Sequence, residues 1–272
     1  MKKYVILSII LLLLFFFGGT SYLYFKQEAL LFKSGALTDD HVFSYKAPFK
    51  ELFLETEKGA RINALHFYVE QPKGVVLYFR GRGANLNKNL GRFSREFTSR
   101  GYDLFVMDYR GCGKSRGHRS EKALCHDADQ CYKYLLKNHF QESQIIVYGR
   151  SLGTGIATYV ASKHAPQALI LEAPYVSILD LVPAEQPYLP RFLIPLLMKY
   201  HLRTDEWIVK VKSPIYIFHG TDDSIVPYHS STRLMKLITE KQNIYFTTIE
   251  NGKHNNLRYH SEYQEVMDNI LK

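Results

Sequence analysis

The sequence predicts an α/β domain with a mostly parallel central sheet and helices on both faces. Short apolar runs alternate with segments of helical character, and the 272 residues are enough for one large core. The runs that indicate strands are 75–79, 103–109, 145–149, 168–174, 214–219 and 244–249. The helical segments are about 86–100, 120–139, the stretch from 151 onward, and about 259–271. This alternation predicts right-handed crossovers, whereas 51–56 and 62–69 are typical of a hairpin.

The N-terminal stretch is predicted to be a membrane anchor. Residues 4–25 carry no charge and are long enough to cross a bilayer as a helix. A cleaved signal peptide is the alternative, since the small residues at 18–21 could form a cleavage site. The long apolar core and the aromatic cluster after it favour an uncleaved single-pass anchor. We therefore expect an anchor over residues 1–27 and a globular domain over 28–272.

The charges that flank this stretch predict its orientation. Lys2 and Lys3 favour an N-terminus in the cytoplasm, which would place the domain outside the cytoplasm. Lys26 and Lys33 lie just beyond the span on the other side and weaken the prediction.

Composition excludes several classes of function. The formal charge is +9, but the basic residues are scattered and no nucleic-acid motif accompanies them, so we expect no nucleic-acid partner. A solvated surface explains the charge, with attraction to anionic lipid as a second explanation. Three cysteines form a poor disulfide framework, although Cys125 and Cys131 could pair if the domain is exported. The 11 histidines are dispersed, so no metal or cofactor is expected.

The motif G-x-S-x-G occupies residues 149–153, between the strand 145–148 and a helix-compatible stretch. A strand that turns sharply into a helix crowds the residues beside Ser151, and this explains the two glycines. The turn would expose the Ser151 hydroxyl above the sheet, near free N–H groups of the helix. The alternative is a glycine-rich turn in an ordinary α/β protein.

A second glycine-rich loop, 80–85, follows the strand 75–79. It could cradle a phosphate, but it matches neither a dinucleotide fingerprint nor a Walker loop. With the serine turn later in the chain it fits an oxyanion-hole loop better, with the backbone N–H groups of Arg82 and Leu152 as donors. A plain tight turn remains the alternative. Asp108 and Arg110 are expected to fix the next glycine loop through hydrogen bonds rather than to act in catalysis.

Residues 175–212 interrupt the alternation of strands and helices. They hold four prolines among apolar and aromatic residues, which suggests a cap over the site. Such a cap could line a pocket for an acyl chain, or it could simply pack on the sheet.

Residues that could act in catalysis follow two further predicted strands. Asp222 and Asp223 follow the strand 214–219, and His254 follows the last strand, 244–249. Serine, acid and histidine in this chain order, each just beyond a strand, predict a catalytic triad of Ser151, an aspartate and His254.

These motifs resemble the α/β-hydrolase superfamily over about residues 51–271. The resemblance is strongest to the membrane-anchored serine hydrolases of the lysophospholipase and serine-aminopeptidase-like branch. It is carried by the segment Asp-Tyr-Arg-Gly-x-Gly-x-Ser at 108–115, by G-x-S-x-G, by 219–227, and by Gly-x-His-Asn at 252–255. The resemblance assigns the catalytic acid to Asp223 rather than Asp222. The chain departs from the family at Arg80, where histidine is usual, and a cation there would favour an anionic substrate.

The resemblance implies a serine hydrolase that needs no cofactor and cleaves a carboxylic ester, such as a lipid or lysophospholipid, through an acyl-enzyme. The cap and the anchor favour lipid or acyl substrates. A peptidase, a thioesterase and a non-catalytic membrane-tethered binding protein on the same fold are the alternatives.

Overall fold

A computed structural model describes residues 2–33, 35–83, 85–87, 90–185, 189–238 and 243–272. Within these residues eight strands form one sheet in the order β1-β2-β4-β3-β5-β6-β7-β8. The strands are β1 Phe49–Glu57, β2 Ala60–Phe67, β3 Gly74–Phe79, β4 Tyr102–Met107, β5 Ile145–Arg150, β6 Ala168–Glu172, β7 Ile215–Gly220 and β8 Ile244–Ile249.

The predicted hairpin is confirmed, since β1 and β2 pair antiparallel across the turn at Gly59. β2 also runs antiparallel to β4, and from β4 to β8 every neighbouring pair is parallel. The central strands β3 to β6 are buried along their whole length, except for the half-buried Arg150 at the end of β5. This explains why they appear in the sequence as continuous apolar runs without alternation.

The helices lie before, between and after these strands. They are α1 Lys2–Phe32, α2 Leu90–Thr98, α3 Glu121–Lys137, α4 Gly153–Lys163, α5 Ile178–Glu185, α6 Ile194–Leu197, α7 Thr204–Ile208, α8 His229–Leu237 and α9 Ser261–Ile270. One apolar cluster joins α3 and α4 to one face of the sheet, and a second joins α2 and α9 to the other. The predicted α/β architecture with helices on both faces is therefore confirmed.

Helix α1 continues five residues past the predicted end of the anchor at residue 27. Its last residue, Phe32, is buried in the core and packs edge-on against Tyr109 and Tyr200. Among the described residues, no helix meets the length and apolarity that a bilayer crossing requires. The boundary between residues 27 and 28 stays a prediction.

The predicted cap segment 175–212 contains the short helices α5, α6 and α7. Pro195 lies in the first turn of α6, where proline is tolerated. Pro183 lies inside α5, where proline removes a helical hydrogen bond. Pro187 and Tyr188 lie outside the described residues.

The cysteines do not form the disulfide that the sequence allowed. Cys112, Cys125 and Cys131 are free and buried. Cys125 and Cys131 lie six positions apart on α3, which separates them by about 9 Å along the helix axis, beyond the span of a disulfide. Burial raises the pKa of the Cys125 thiol to about 12, so it remains protonated.

Candidate active site

The turn that carries Ser151, the predicted nucleophile, lies between β5 and α4. Ser151 adopts a left-handed conformation with φ of 50°, which is strained for a serine. A Cβ atom on Gly149 would lie 2.5 Å from the Gly153 carbonyl oxygen, and one on Gly153 would lie 2.1 Å from the Phe79 carbonyl oxygen. Both glycines of the motif are therefore required by close backbone approach, as the sequence predicted.

The structure brings together the three side chains that the sequence singled out. His254 Nε2 lies 2.9 Å from Ser151 Oγ across 103 residues of chain. On the other side of the same ring, His254 Nδ1 lies 2.7 Å from Asp223 Oδ2. All three side chains are largely buried. Each distance is a hydrogen bond, so proton transfer from the serine to the imidazole needs no rearrangement.

Asp223 is held as a carboxylate. Its Oδ1 accepts hydrogen bonds of 2.9 Å from the backbone N–H groups of Ile225 and Val226. Burial alone would raise the pKa of Asp223, but hydrogen bonds from His219, His254 and the Val226 backbone hold it well below its ordinary value. Asp222 is exposed and lies outside this arrangement.

His219 supports the acid, and sequence reasoning did not assign it this role. The ring is fully buried, with Nε2 2.9 Å from the Val226 carbonyl oxygen and 3.4 Å from Asp223 Oδ2. Its Nδ1 lies 2.6 Å from Ser231 Oγ at the start of α8. It thereby fixes the loop that carries Asp223. The sequence feature that could have indicated this role is a histidine at the end of an apolar strand.

The loop after β3 lies against Ser151. A Cβ atom on Gly81 would be 3.2 Å from Ser151 Cβ and 3.4 Å from the Arg150 carbonyl oxygen. Leu152 directly precedes the first residue of α4. The two predicted oxyanion donors, the N–H groups of Arg82 and Leu152, thus belong to segments on either side of Ser151.

Arg80 is buried and its guanidinium lies 3.9 Å from the Asp108 carboxylate. It is not among the described residues that line the cavity beside Ser151. Asp108 in turn accepts a hydrogen bond from the backbone N–H of Leu86. The Arg80–Asp108 pair therefore supports the loop after β3.

Arg110 has the structural role that the sequence predicted. It donates two hydrogen bonds of 2.7 Å to Asp127 on α3, a third to Glu57 and a fourth to the His118 carbonyl oxygen. These contacts hold the segment after β4 against α3 and the β1–β2 hairpin. Neither Arg110 nor Asp108 touches the Ser151–His254–Asp223 group.

A cavity of about 100 Å³ opens on one side of Ser151. Its lining is mostly apolar and comes from three parts of the chain. The cap contributes Ile178, Leu181, Val182, Leu189, Leu197 and Met198; α1 contributes Gln27, Leu30 and Leu31; other loops contribute Arg82, Leu152, Tyr175, Ile225 and Val226. The sequence predicted the cap as a candidate pocket wall but not the contribution of α1, because an evenly apolar helix shows no inward face.

On the other side of Ser151 lies a charged network that the sequence analysis missed. Glu172 is buried and accepts hydrogen bonds of 2.9 Å from Arg150 Nε and 3.0 Å from Arg258 Nε. Arg150 Nη2 donates to the His254 carbonyl oxygen at 2.9 Å and to Asn255 Oδ1 at 2.6 Å. The network therefore ties the serine strand to the histidine loop. A glutamate at the end of the apolar run 168–174 was the signal.

The described residues contain no group of three or more histidine, cysteine, aspartate or glutamate side chains that could hold a metal ion.

Comparison with known proteins identifies the family to which the chain belongs. The serine aminopeptidase S33 family matches residues 70–207, half of the chain. An α/β-hydrolase domain-containing protein, WAV2, from Arabidopsis thaliana is 26% identical over 76% of this chain and 72% of its own length. An uncharacterized membrane protein of Saccharomyces cerevisiae is 27% identical over 92% of this chain and 90% of its own.

Lysophosphatidylserine lipase ABHD12 of Danio rerio is 28% identical over 62% of this chain, which spans about half (48%) of that protein. Among solved structures, an esterase of Pyrococcus furiosus matches with a TM-score of 0.69 at 16% identity, covering 89% of this chain and 96% of that one. At this identity the structural match shows the fold alone. Because the family model matches half of the chain, residues 70–207, the chain belongs to the serine aminopeptidase S33 family of α/β hydrolases.

Proposed function

We propose that this protein is a membrane-associated serine hydrolase that cleaves acyl esters of lipids through Ser151, His254 and Asp223. The observation that carries the proposal is the imidazole of His254, which lies 2.9 Å from the serine oxygen and 2.7 Å from the buried carboxylate.

The mechanism uses these three side chains in turn. His254 Nε2 takes the proton of Ser151 Oγ as that oxygen attacks the ester carbonyl carbon, and a tetrahedral oxyanion forms. His254 then gives the proton to the leaving alcohol, and the acyl group stays on Ser151. A water molecule, deprotonated by His254, attacks the acyl-enzyme and releases the carboxylic acid. Asp223 holds the imidazole in the required tautomer and stabilises its protonated form.

The backbone N–H groups of Arg82 and Leu152 are the proposed donors to the oxyanion. By analogy with measured donors, each would stabilise the transition state by about 3 kcal/mol. The close approach of Gly81 to Ser151 supports this, because a side chain at residue 81 would push the loop away from the serine.

The lining of the cavity favours an acyl substrate over a peptide with a free amino terminus. An aminopeptidase needs a carboxylate to pair with the substrate ammonium group. Among the described residues that line the cavity, the charged one is Arg82, which is a cation. An apolar lining matches an alkyl chain, and a relative is named a lysophosphatidylserine lipase.

We further propose that α1 anchors the protein in a membrane over residues 1–27, in one pass, with the domain 28–272 outside the cytoplasm. Supporting this, α1 exposes large apolar side chains along most of its length, and a relative is named a membrane protein. In the test, the full chain should stay with the bilayer after an alkaline carbonate wash, and protease added to intact cells should digest the domain. Release by the wash would reject the anchor.

Ser151→Ala tests the catalytic proposal. The full chain in detergent should hydrolyse p-nitrophenyl esters and be labelled by a fluorophosphonate probe, and Ser151→Ala should abolish both. Ser162→Ala is the matched control, because Ser162 lies on α4 and its hydroxyl donates to the Tyr159 carbonyl oxygen. Full labelling of Ser151→Ala would reject the assignment. Absence of hydrolysis and labelling in the wild type would favour a non-catalytic binding protein.

A further inference from the structure

The last turns of α1 form one wall of the cavity that holds Ser151. Gln27, Leu30 and Leu31 line it, opposite cap residues such as Leu181 and Met198. An element predicted from sequence only as a tether is therefore part of the candidate substrate site.

Specific contacts, rather than incidental packing, seat this part of α1. Gln27 is 3% exposed; its Nε2 donates to the Leu197 carbonyl oxygen at 3.2 Å, and its Oε1 accepts the Lys199 N–H at 2.7 Å. One side chain thereby satisfies a donor and an acceptor of the cap backbone around the end of α6. Glu28 Oε1 accepts a hydrogen bond of 3.1 Å from the Tyr200 hydroxyl.

The same helix reaches the predicted oxyanion loop. Arg82 Nη1 lies 3.4 Å from the Leu30 carbonyl oxygen. The wall at Leu30 is thus tied to the loop after β3 as well as to the cap, so its position relative to Ser151 is fixed from two sides. The cavity between these walls has a volume of about 100 Å³, and its lining is mostly apolar.

We propose that the base of α1 is a specificity-determining wall of the acyl site. The chain of the scissile acyl group lies between α1 and the cap, and the side chain at residue 30 sets how long a chain is accepted. This inference rests on the proposed ester hydrolysis and names its substrate class: acyl esters whose chain fits between α1 and the cap.

Chain-length profiles of Leu30 variants test the proposal. For the full chain in detergent, the ratio of kcat/KM for p-nitrophenyl octanoate to that for the acetate should fall at least about tenfold in Leu30→Trp, because the indole fills the cavity. Leu30→Ala should move the optimum to longer esters. Ala29→Trp places the same indole at an exposed neighbouring position of α1 and should leave the ratio unchanged. Equal ratios in Leu30→Trp and Ala29→Trp would overturn the proposal.

Photo-crosslinking gives a readout that does not need turnover. A fatty acid with a terminal diazirine, bound to Ser151→Ala protein, should label the peptide that contains residues 27–32, and Leu30→Trp should reduce this labelling while Ala29→Trp should not. Adducts confined to the cap would overturn the proposal that α1 forms a wall of the acyl site, even if the enzyme is active. Labelling of 27–32 in a chain that hydrolyses no ester would instead retain the acyl site and reject the hydrolytic function.

Discussion

The two sides of Ser151 are built from opposite kinds of interaction. On one side, α1 and the cap surround a cavity with leucine, isoleucine, valine and methionine side chains. On the other, Arg150, Glu172 and Arg258 form an ion network around a buried carboxylate. Apolar contact is non-directional and tolerates exchange of similar shapes, whereas a buried ion pair fails when one partner is removed. The residues that line the cavity can therefore be exchanged to suit a substrate, whereas the charged network fixes the position of the His254 loop.

His254 connects the two sides, because its ring contacts Ser151 and its carbonyl oxygen accepts a hydrogen bond from Arg150. Breaking its contact with Asp223 should have the largest effect. Asp223→Asn should lower kcat by about 10⁴-fold, because the amide no longer holds the imidazole in the reactive tautomer. Asp222→Asn is the control, since Asp222 is exposed, and its kcat should stay close to that of the wild type. Steady-state hydrolysis of a short p-nitrophenyl ester measures both. The reverse ranking would move the acid to Asp222.

Removing a cation from the charged side should be the next largest change. Arg150→Met leaves Glu172 with one arginine and frees the His254 loop, so the free energy of unfolding should fall by about 3 kcal/mol. Since Arg150 positions His254 without lining the cavity, kcat should fall while KM stays unchanged. Arg203→Met removes a partly exposed ion pair and should cost well under 1 kcal/mol. If Arg150→Met and Arg203→Met lowered the free energy of unfolding equally, the buried network would be no more important for stability than a surface ion pair.

Acid should weaken the charged side selectively. Burial alone would raise the pKa of Glu172, but the charges of Arg258 and Arg150 and the Tyr148 hydroxyl lower it from 4.5 to about 2. Because the folded pKa lies below the unfolded value, Glu172 stabilises the fold above about pH 4.5, and this contribution is lost as the pH falls towards 2. It amounts to about 3 kcal/mol. Urea unfolding from pH 5 to 2.5 should show a shallower loss in Glu172→Gln than in the wild type or in the surface variant Glu206→Gln.

The smallest effect is expected where α1 meets the cap. Gln27→Leu keeps the size of the side chain but removes its hydrogen bonds to Leu197 and Lys199, which should cost about 1–2 kcal/mol. Lys26→Leu, at an exposed neighbour, should cost much less. Limited proteolysis within the cap segment reports the loss, and cleavage should be faster only in Gln27→Leu. Identical digestion of the two variants would show that the Gln27 contacts do not hold the cap.

The sequence predicted the parts of the site that depend on strand ends. Ser151, Asp223 and His254 each follow a strand, and parallel strands bring their carboxyl ends to one edge, so their proximity could be inferred. The network could not, because Arg150 pairs with Glu172 only through the alignment of β5 with β6. Neighbouring strands and their register are set by long-range packing, which local patterns do not encode.

The role of α1 was missed for a different reason. Its sequence is apolar around the whole circumference, so periodicity does not distinguish the face that meets the cap. Gln27 lies just after the uncharged stretch 4–25, between Lys26 and Glu28, and its two hydrogen bonds to the cap became evident only from the fold.

Helix α1 runs without a break from its apolar N-terminal stretch into the turns that contact the cap. This continuity matters if the part of the helix before Gln27 is replaced. A continuous helix transmits rotation: each inserted residue turns everything before it by 100° and moves it by about 1.5 Å. A foreign leader joined ahead of Gln27 would therefore need to keep helical phase as well as length. The number of residues in the helix therefore sets which way its outer part faces relative to the cavity at Ser151. A flexible spacer would not preserve this orientation.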